Sequence, residues 1–243
     1  EIPKRDWSSD VCSSDLRNSI AQCSFTMTTD PFSPQRRIAL LRISAISLLA
    51  SGCSNLPPLF SKTATIPQGA RSLKGEVRLG KQLLKQNSEI PEDTPLTTGP
   101  DSQAIFIRGS NAFLLRANSH LIFKRNQDGS TDATLEQGSL LSVFAPGRVT
   151  IRTPVAQIGI RGTGCYVEAY PEKSYICLCY GKGDIYSSLN GKLLMSIKTT
   201  HHDSPYNIYP DGELMAPMPF INHSDDELIL LESLVGREPY FIK

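Results

Sequence analysis

From Gly75 onward, short apolar runs recur about every eight to twelve residues, with turn residues between them. They fall at 104–107, 112–115, 121–123, 139–144, 149–153 and 156–160. Val149 and Ile151 alternate with Thr150 and Arg152, and Ile158 and Ile160 alternate with Gly159 and Arg161. A period of two lets one face of each run be buried while the other stays wet, which is strand logic. Asp128-Gly129 and Pro146-Gly147 are turn dipeptides between runs. The spacing predicts an all-β sandwich, barrel or solenoid and no βαβ units. A helical period is first useful after residue 224. Ser224-x-x-Glu227 is a capping box, Leu228, Leu231, Leu234 and Val235 make a stripe, and Gly236 suits the residue past a helix end. These predict one helix at about 225–235, its stripe against the β domain.

The first seventy residues have a different character. The run from Asp6 to Leu16 (DWSSDVCSSDL) resembles the in-frame translation of a sequencing adapter, so residues 1–26 read as a cloning or assembly scar. That removes Cys12, Cys23 and the single tryptophan, Trp7, from consideration. From Met27 the chain reads as an export signal at 27–52: Arg36-Arg37, then an apolar stretch at 38–50. That stretch is shorter than the ~20 residues a membrane-spanning helix needs. Ala50-Ser51-Gly52-Cys53 resembles a bacterial lipobox, in which Cys53 would carry the lipid. The arginine pair also resembles a twin-arginine signal. Ser54 after the cysteine favours the outer membrane. Residues 53–72 carry three prolines and read as a tether.

The whole chain has formal charge +1, and from residue 54 onward the acidic and basic residues balance. No electrostatic footprint for nucleic acid is present. The expected partners are the membrane, through the lipid anchor, and an envelope protein.

Within the β region, Gly75-Glu76-Val77, Leu135-Glu136-Gln137-Gly138-Ser139-Leu140 (read as strand–turn–strand), Ile151-Arg152-Thr153-Pro154-Val155-Ala156 and Ile160-Arg161-Gly162-Thr163 carry a resemblance. The last two, at this spacing, resemble the core motif of the FecR family. The resemblance covers 73–187 and leaves a tail at 188–243 that holds the predicted helix. It implies a periplasmic all-β domain, a short β-solenoid-like roll, to which the capping box and stripe add one C-terminal α-helix. The sigma-factor-binding segment and membrane span of the family's iron-uptake regulators have no counterpart here. The resemblance therefore implies an exported FecR-domain lipoprotein that senses, scaffolds or binds a regulatory partner, with no enzymatic activity. In the motif, Pro154 can end a strand and Gly162 can supply a turn with positive φ. Arg161 is expected to pair with an acidic or carbonyl group inside the roll, as a structural lock alongside Thr153 and Thr163.

Three cysteines remain for chemistry: Cys165, Cys177 and Cys179. Residues 163–170 and 174–180 read as two strands around Pro171-Glu172-Lys173. With Tyr170 opposite Ser174, Cys165 faces Cys179 and all three thiols share one face. His201-His202-Asp203 and Asn222-His223-Ser224-Asp225 follow, with three of the chain's four histidines. Three readings stand. The thiols are small core residues; or Cys165 and Cys179 form a disulfide, as an oxidising compartment permits; or Cys165, Cys177, Cys179, His201, His202 and His223 supply a zinc or copper site. A Cys-His thiol hydrolase is the enzyme alternative, but no thiol sits at a strand–helix turn or helix N-terminus that would stabilise a thiolate.

Overall fold

The structure is a computed structural model that describes residues 65–203, 205–212, 214–215 and 218–242. The adapter-like stretch, the export signal and Cys53 lie outside the described residues. Among those described, no helix is long and apolar enough to cross a membrane.

Among the described residues, fourteen strands form one sheet. The first seven are β1 (Gly69–Lys74), β2 (Val77–Leu79), β3 (Gln82–Leu83), β4 (Leu96–Thr98), β5 (Gln103–Arg108), β6 (Asn111–Leu115) and β7 (His120–Arg125). Then come β8 (Thr131–Val143), β9 (Val149–Arg152), β10 (Ala156–Ala169) and β11 (Ser174–Ser187). β12 (Leu193–Thr199), β13 (Pro205–Ile208) and β14 (Leu214–Met215) complete the sheet. One α-helix, α1 (Asp225–Leu234), and a 3-10 turn at Tyr240–Ile242 follow. Among the described residues the fold is all-β with a single C-terminal helix, and the sheet is not closed. Pairing is antiparallel except between β8 and β9, where Ala133 lies beside Ile151.

Three long strands organise the sheet by changing partners partway. β8 pairs with β7 up to Gln137 and with β6 and β10 near its end. β10 pairs with β9 and then β8, and β11 with β13 and then β12. Each strand bends at a glycine with positive φ: Gly138 (87°), Gly162 (60°) and Gly181 (98°). The Leu135–Leu140 region, read from sequence as strand–turn–strand, is thus one continuous strand that bends at Gly138. A Cβ there would lie 2.1 Å from Ser119 Oγ, so the bend brings two backbones closer than any side chain allows.

The wrapped sheet buries one face as an inner cluster. Phe106, Phe113, Phe123 and Phe144 sit at its centre; Phe106 and Phe113 stack at 5.0 Å, and Phe113 meets Phe144 edge-on at 5.7 Å. A second cluster lies on the other face, built from Leu114, Leu141, Tyr166, Tyr175, Cys177, Cys179, Tyr180 and the α1 residues Leu228, Leu231 and Val235.

Several boundaries shift. The tether gives way at Gly69 to β1, because this stretch has a ladder partner in β5, with Gly69 opposite Ile107. The sheet continues past 187 through β12, β13 and β14. The helix ends at Leu234, and its capping box forms as expected: Ser224 Oγ accepts from Glu227 N–H while the Glu227 carboxylate accepts from Ser224 N–H.

The motif residues have structural work. Thr153 Oγ1 accepts Ala156 N–H (3.0 Å) and the Ser174 hydroxyl (2.8 Å), closing the turn between β9 and β10 over Pro154. The buried Thr163 donates its hydroxyl to Gly164 O (2.9 Å). Arg161 is a correction. Its side chain is 63% exposed and meets Asp184 at 3.5 Å on the surface, not inside the roll. Ile160 points into the core, so strand alternation turns Arg161 outward.

Candidate metal centre

The β10–β11 hairpin decides which thiols can cooperate. Ala169 pairs with Ser174, and the loop 170–173 is closed by Tyr170 N–H donating to Lys173 O (2.9 Å). Cys165 therefore lies opposite Leu178, and Tyr166 opposite Cys177. The expected register, Tyr170 against Ser174, is off by one residue, and one residue exchanges the faces of a strand. Cys165 turns into the inner cluster, while Cys177 and Cys179 turn out into the second one. A bulge opposite Gly164 makes Cys179 the extra residue of β11. Cys165 thus leaves both the disulfide reading and the ligand set. All three thiols are free, and burial pushes the Cys165 thiol up.

Two histidines from distant segments meet the outward sulfurs. His202 sits in the turn after β12. That turn is wound around Asp203, whose carboxylate accepts from Thr200 N–H (2.9 Å) and the Thr199 hydroxyl (2.8 Å). These bonds hold the Asp203 carboxyl down at about 2. His202 N–H donates to Cys179 O (2.8 Å), which ties the turn to β11. His223 immediately precedes the N-cap of α1. Its ring stacks on Tyr166 at 4.4 Å, and Phe220 lies against both His202 (4.2 Å) and His223 (4.4 Å). His202 and Asn222 are both non-glycine residues in the left-handed region, with φ of 49° and 58°. Such backbone is uncommon and gathers where surrounding structure imposes a geometry.

The ligand-type atoms of Cys177, Cys179, His202 and His223 all lie within 4.8 Å of one another. Cys177 Sγ is 3.4 Å from His202 Nδ1, and Cys179 Sγ is 3.4 Å from His223 Nε2. A tetrahedral zinc with ordinary bond lengths separates a sulfur from a nitrogen by about 3.6 Å, so these edges fit. Each ring's other nitrogen is also engaged. His202 Nε2 lies 3.0 Å from Asp225 Oδ1, and His223 Nδ1 lies 2.7 Å from Ile221 O. A carbonyl or carboxylate can only accept, so in the neutral form of each ring the proton is held on that side and the lone pair is the one a metal between the sulfurs would take. This is the outer-shell pattern of metal-bound histidine.

The electrostatics agree with a thiolate-forming site. The neighbouring Cys179 thiol, and then the two imidazoles, hold the Cys177 thiol below its ordinary value against the effect of burial. Burial pushes Cys179 up. Burial lowers His202, but Cys177 and Asp225 outweigh it and raise the ring.

A polar frame supports the ring of ligands. The buried Glu168 accepts from Tyr166 Oη–H (2.7 Å), Tyr170 Oη–H (2.9 Å) and Asn222 Nδ2 (2.7 Å). Arg116 donates to Glu227 (2.8 Å) and to Asn222 O (2.6 Å).

Of the six residues expected as ligands, four converge. His201 is the second that does not join them: it is exposed, with Nε2 2.9 Å from Asp225, which it shares with His202, and its ring against Phe241 at 4.6 Å. Asp225 and Asp203 were in the sequence motifs, but nothing in their spacing marked one as the acceptor for His202 and the other as the pin of its turn. Tyr166, the platform for His223, had no signal beyond its place in a strand.

No family model matches this chain, and no curated protein matches it. It is similar to two crystal structures of "a putative anti-sigma factor" from Parabacteroides distasonis, at 1.65 and 2.50 Å. Each has a TM-score of 0.43 and 14% identity, covering 50% of this chain and 58% of that one.

Proposed function

We propose that this protein is a non-enzymatic, metal-binding module of the cell envelope. Its ion is a soft, tetrahedrally inclined metal, zinc foremost and copper(I) next, held by Cys177, Cys179, His202 and His223. The observation that carries this reading is the orientation of the two imidazoles. Each turns one ring nitrogen to a sulfur at 3.4 Å while its far nitrogen is held, by Asp225 for His202 and by Ile221 O for His223. Four protein ligands fill a tetrahedral shell and leave no position for a substrate or an activated water, which favours a structural or sensing ion over a hydrolytic one. Burial of both sulfurs weighs against a thiol hydrolase as well.

The setting follows from the sequence: an exported FecR-domain-like lipoprotein, anchored through Cys53 and acting in sensing, scaffolding or regulatory binding. Labelling with a fatty acid, lost in Cys53→Ala, tests the anchor. Elemental analysis of the purified full chain tests the metal. The expected result is one zinc or copper per chain, absent in Cys177→Ser and kept in Cys165→Ser. A wild-type chain that takes up neither metal when titrated with each in turn overturns the reading.

A further inference from the structure

The ligands belong to three separate stretches of chain. Cys177 and Cys179 are on β11, His202 is on the turn after β12, and His223 stands at the mouth of α1. The inner cluster takes no buried residue from beyond Ile208. The second cluster takes Leu228, Leu231 and Val235 from the C-terminal segment, with Met218, Ile221, Leu234 and Phe241 against its edge. That segment can therefore leave the sheet without dismantling the inner core. α1 is also too short to persist as a helix away from its docking face, being ten residues long.

The other tethers of the segment are uneven. Arg116 holds Glu227 and Asn222, and Glu232 is shared by the Tyr180 hydroxyl (2.6 Å) and Arg237 Nε (2.6 Å). Among the described residues, the buried side-chain nitrogens and oxygens without a hydrogen-bond partner are Arg116 Nε and Arg237 Nη2. Both belong to those tethers, and an unpaired buried donor weakens the docking it accompanies. The sulfur–imidazole contacts at 3.4 Å are weak in themselves. A metal would replace these two contacts with four coordinate bonds and close a long loop, from Cys179 on the sheet to His223 on the segment, so its binding energy becomes docking energy.

Building on the metal reading above, we infer that the ion is a clasp. Its occupancy sets whether the C-terminal segment, 218–242, is docked on the outer face of the sheet or released from it. The regulated element is α1, and the signal is the availability of a zinc-class ion. Release uncovers Leu114, Leu141, Tyr166 and Tyr175, the apolar face that α1 and its flanks cover.

Hydrogen exchange on the full chain tests this, with zinc-loaded protein compared with chelator-treated protein. Amides of 225–235 are expected to exchange about tenfold faster or more after chelation, while β5, β6 and the inner half of β8 keep their protection. His223→Gln leaves Cys177, Cys179 and His202 to bind zinc at saturating concentration. In that variant α1 is expected to exchange fast with or without the ion. Stoichiometric zinc with unchanged α1 exchange on chelation overturns the clasp and leaves the metal centre standing. Loss of protection throughout the sheet overturns it too, because the ion then stabilises the whole fold. A chain that binds no zinc overturns both.

Discussion

β10 and β11 have two faces, and the molecule uses them in opposite ways. On the inner face, Ile158, Ile160, Cys165, Val167, Ile176 and Leu178 pack against aromatic and aliphatic side chains with no polar group to satisfy. On the outer face, Tyr166, Tyr175, Cys177, Cys179 and Tyr180 are just as buried, yet nearly every one has a named polar partner. Tyr166 reaches Glu168, Tyr175 donates to Pro219 O, and Tyr180 donates to Glu232. Burial pushes all three tyrosines up, and a carboxylate neighbour adds to it for Tyr166 and Tyr180. The inner face depends on area and shape, which many apolar sequences could supply. The outer face depends on individual bonds, and it fails one bond at a time.

The comparison can be broken by substitution. Phe113→Ala removes a ring that meets Phe106, Phe123 and Phe144. We expect about 3–5 kcal/mol of lost stability in denaturant unfolding, with metal content unchanged. Loss of the metal at full folding would mean the two faces are not separable. Gly138→Ala is expected to destabilise by about 3 kcal/mol or more, since it combines positive φ with a Cβ placed inside Ser119. A melting temperature equal to wild type would contradict the bent-strand account of β8.

The cysteines form the sharpest pair. Cys165→Ser buries a hydroxyl in an apolar cluster and is expected to cost about 1–3 kcal/mol while retaining the metal. Cys177→Ser should do the reverse, with the metal lost and the inner core intact by near-UV circular dichroism. If both variants lose the metal equally, the face assignment is wrong. Asp225→Asn leaves every ligand in place but weakens the acceptor behind His202, so zinc affinity should fall about 10–100-fold in a competition titration. The smallest effect belongs to Glu92, held below its ordinary value by Arg125 and then Arg108. A depressed carboxyl contributes stability above its ordinary value of 4.5, lost as pH falls through the lowered one. Glu92→Gln should flatten that acid limb slightly; an unchanged acid limb would show the ion pairs contribute nothing.

Much of the inner face was readable in advance. The alternation at Val149–Ile151 and Ile158–Ile160, the turn over Pro154 and the bend at Gly162 follow from local physics: a period of two, a fixed proline φ and a residue without Cβ; outside that face, the capping box at Ser224 follows from a helix end with spare N–H groups. The same local physics places Arg161 outside, because it alternates with the buried Ile160. The outer face was readable only as a list of residue types. Cysteines and histidines could be counted, but Cys165 is excluded by the loop at 170–173 holding four residues and not three, and His201 by the turn after β12, which leaves it exposed beside Asp225.

The sequence by itself determined the class of the fold, the position of the helix and the chemistry available for a site, because each rests on contacts between residues a few positions apart. The tertiary structure alone decided that Cys165 is core, that His201 stands outside, that Asp225 lies behind His202 and that His223 meets Cys179. Those facts hang on strand register and on segments more than twenty residues apart. A one-residue slip in register changes neither composition nor periodicity, yet it turns every side chain to the other face of the sheet.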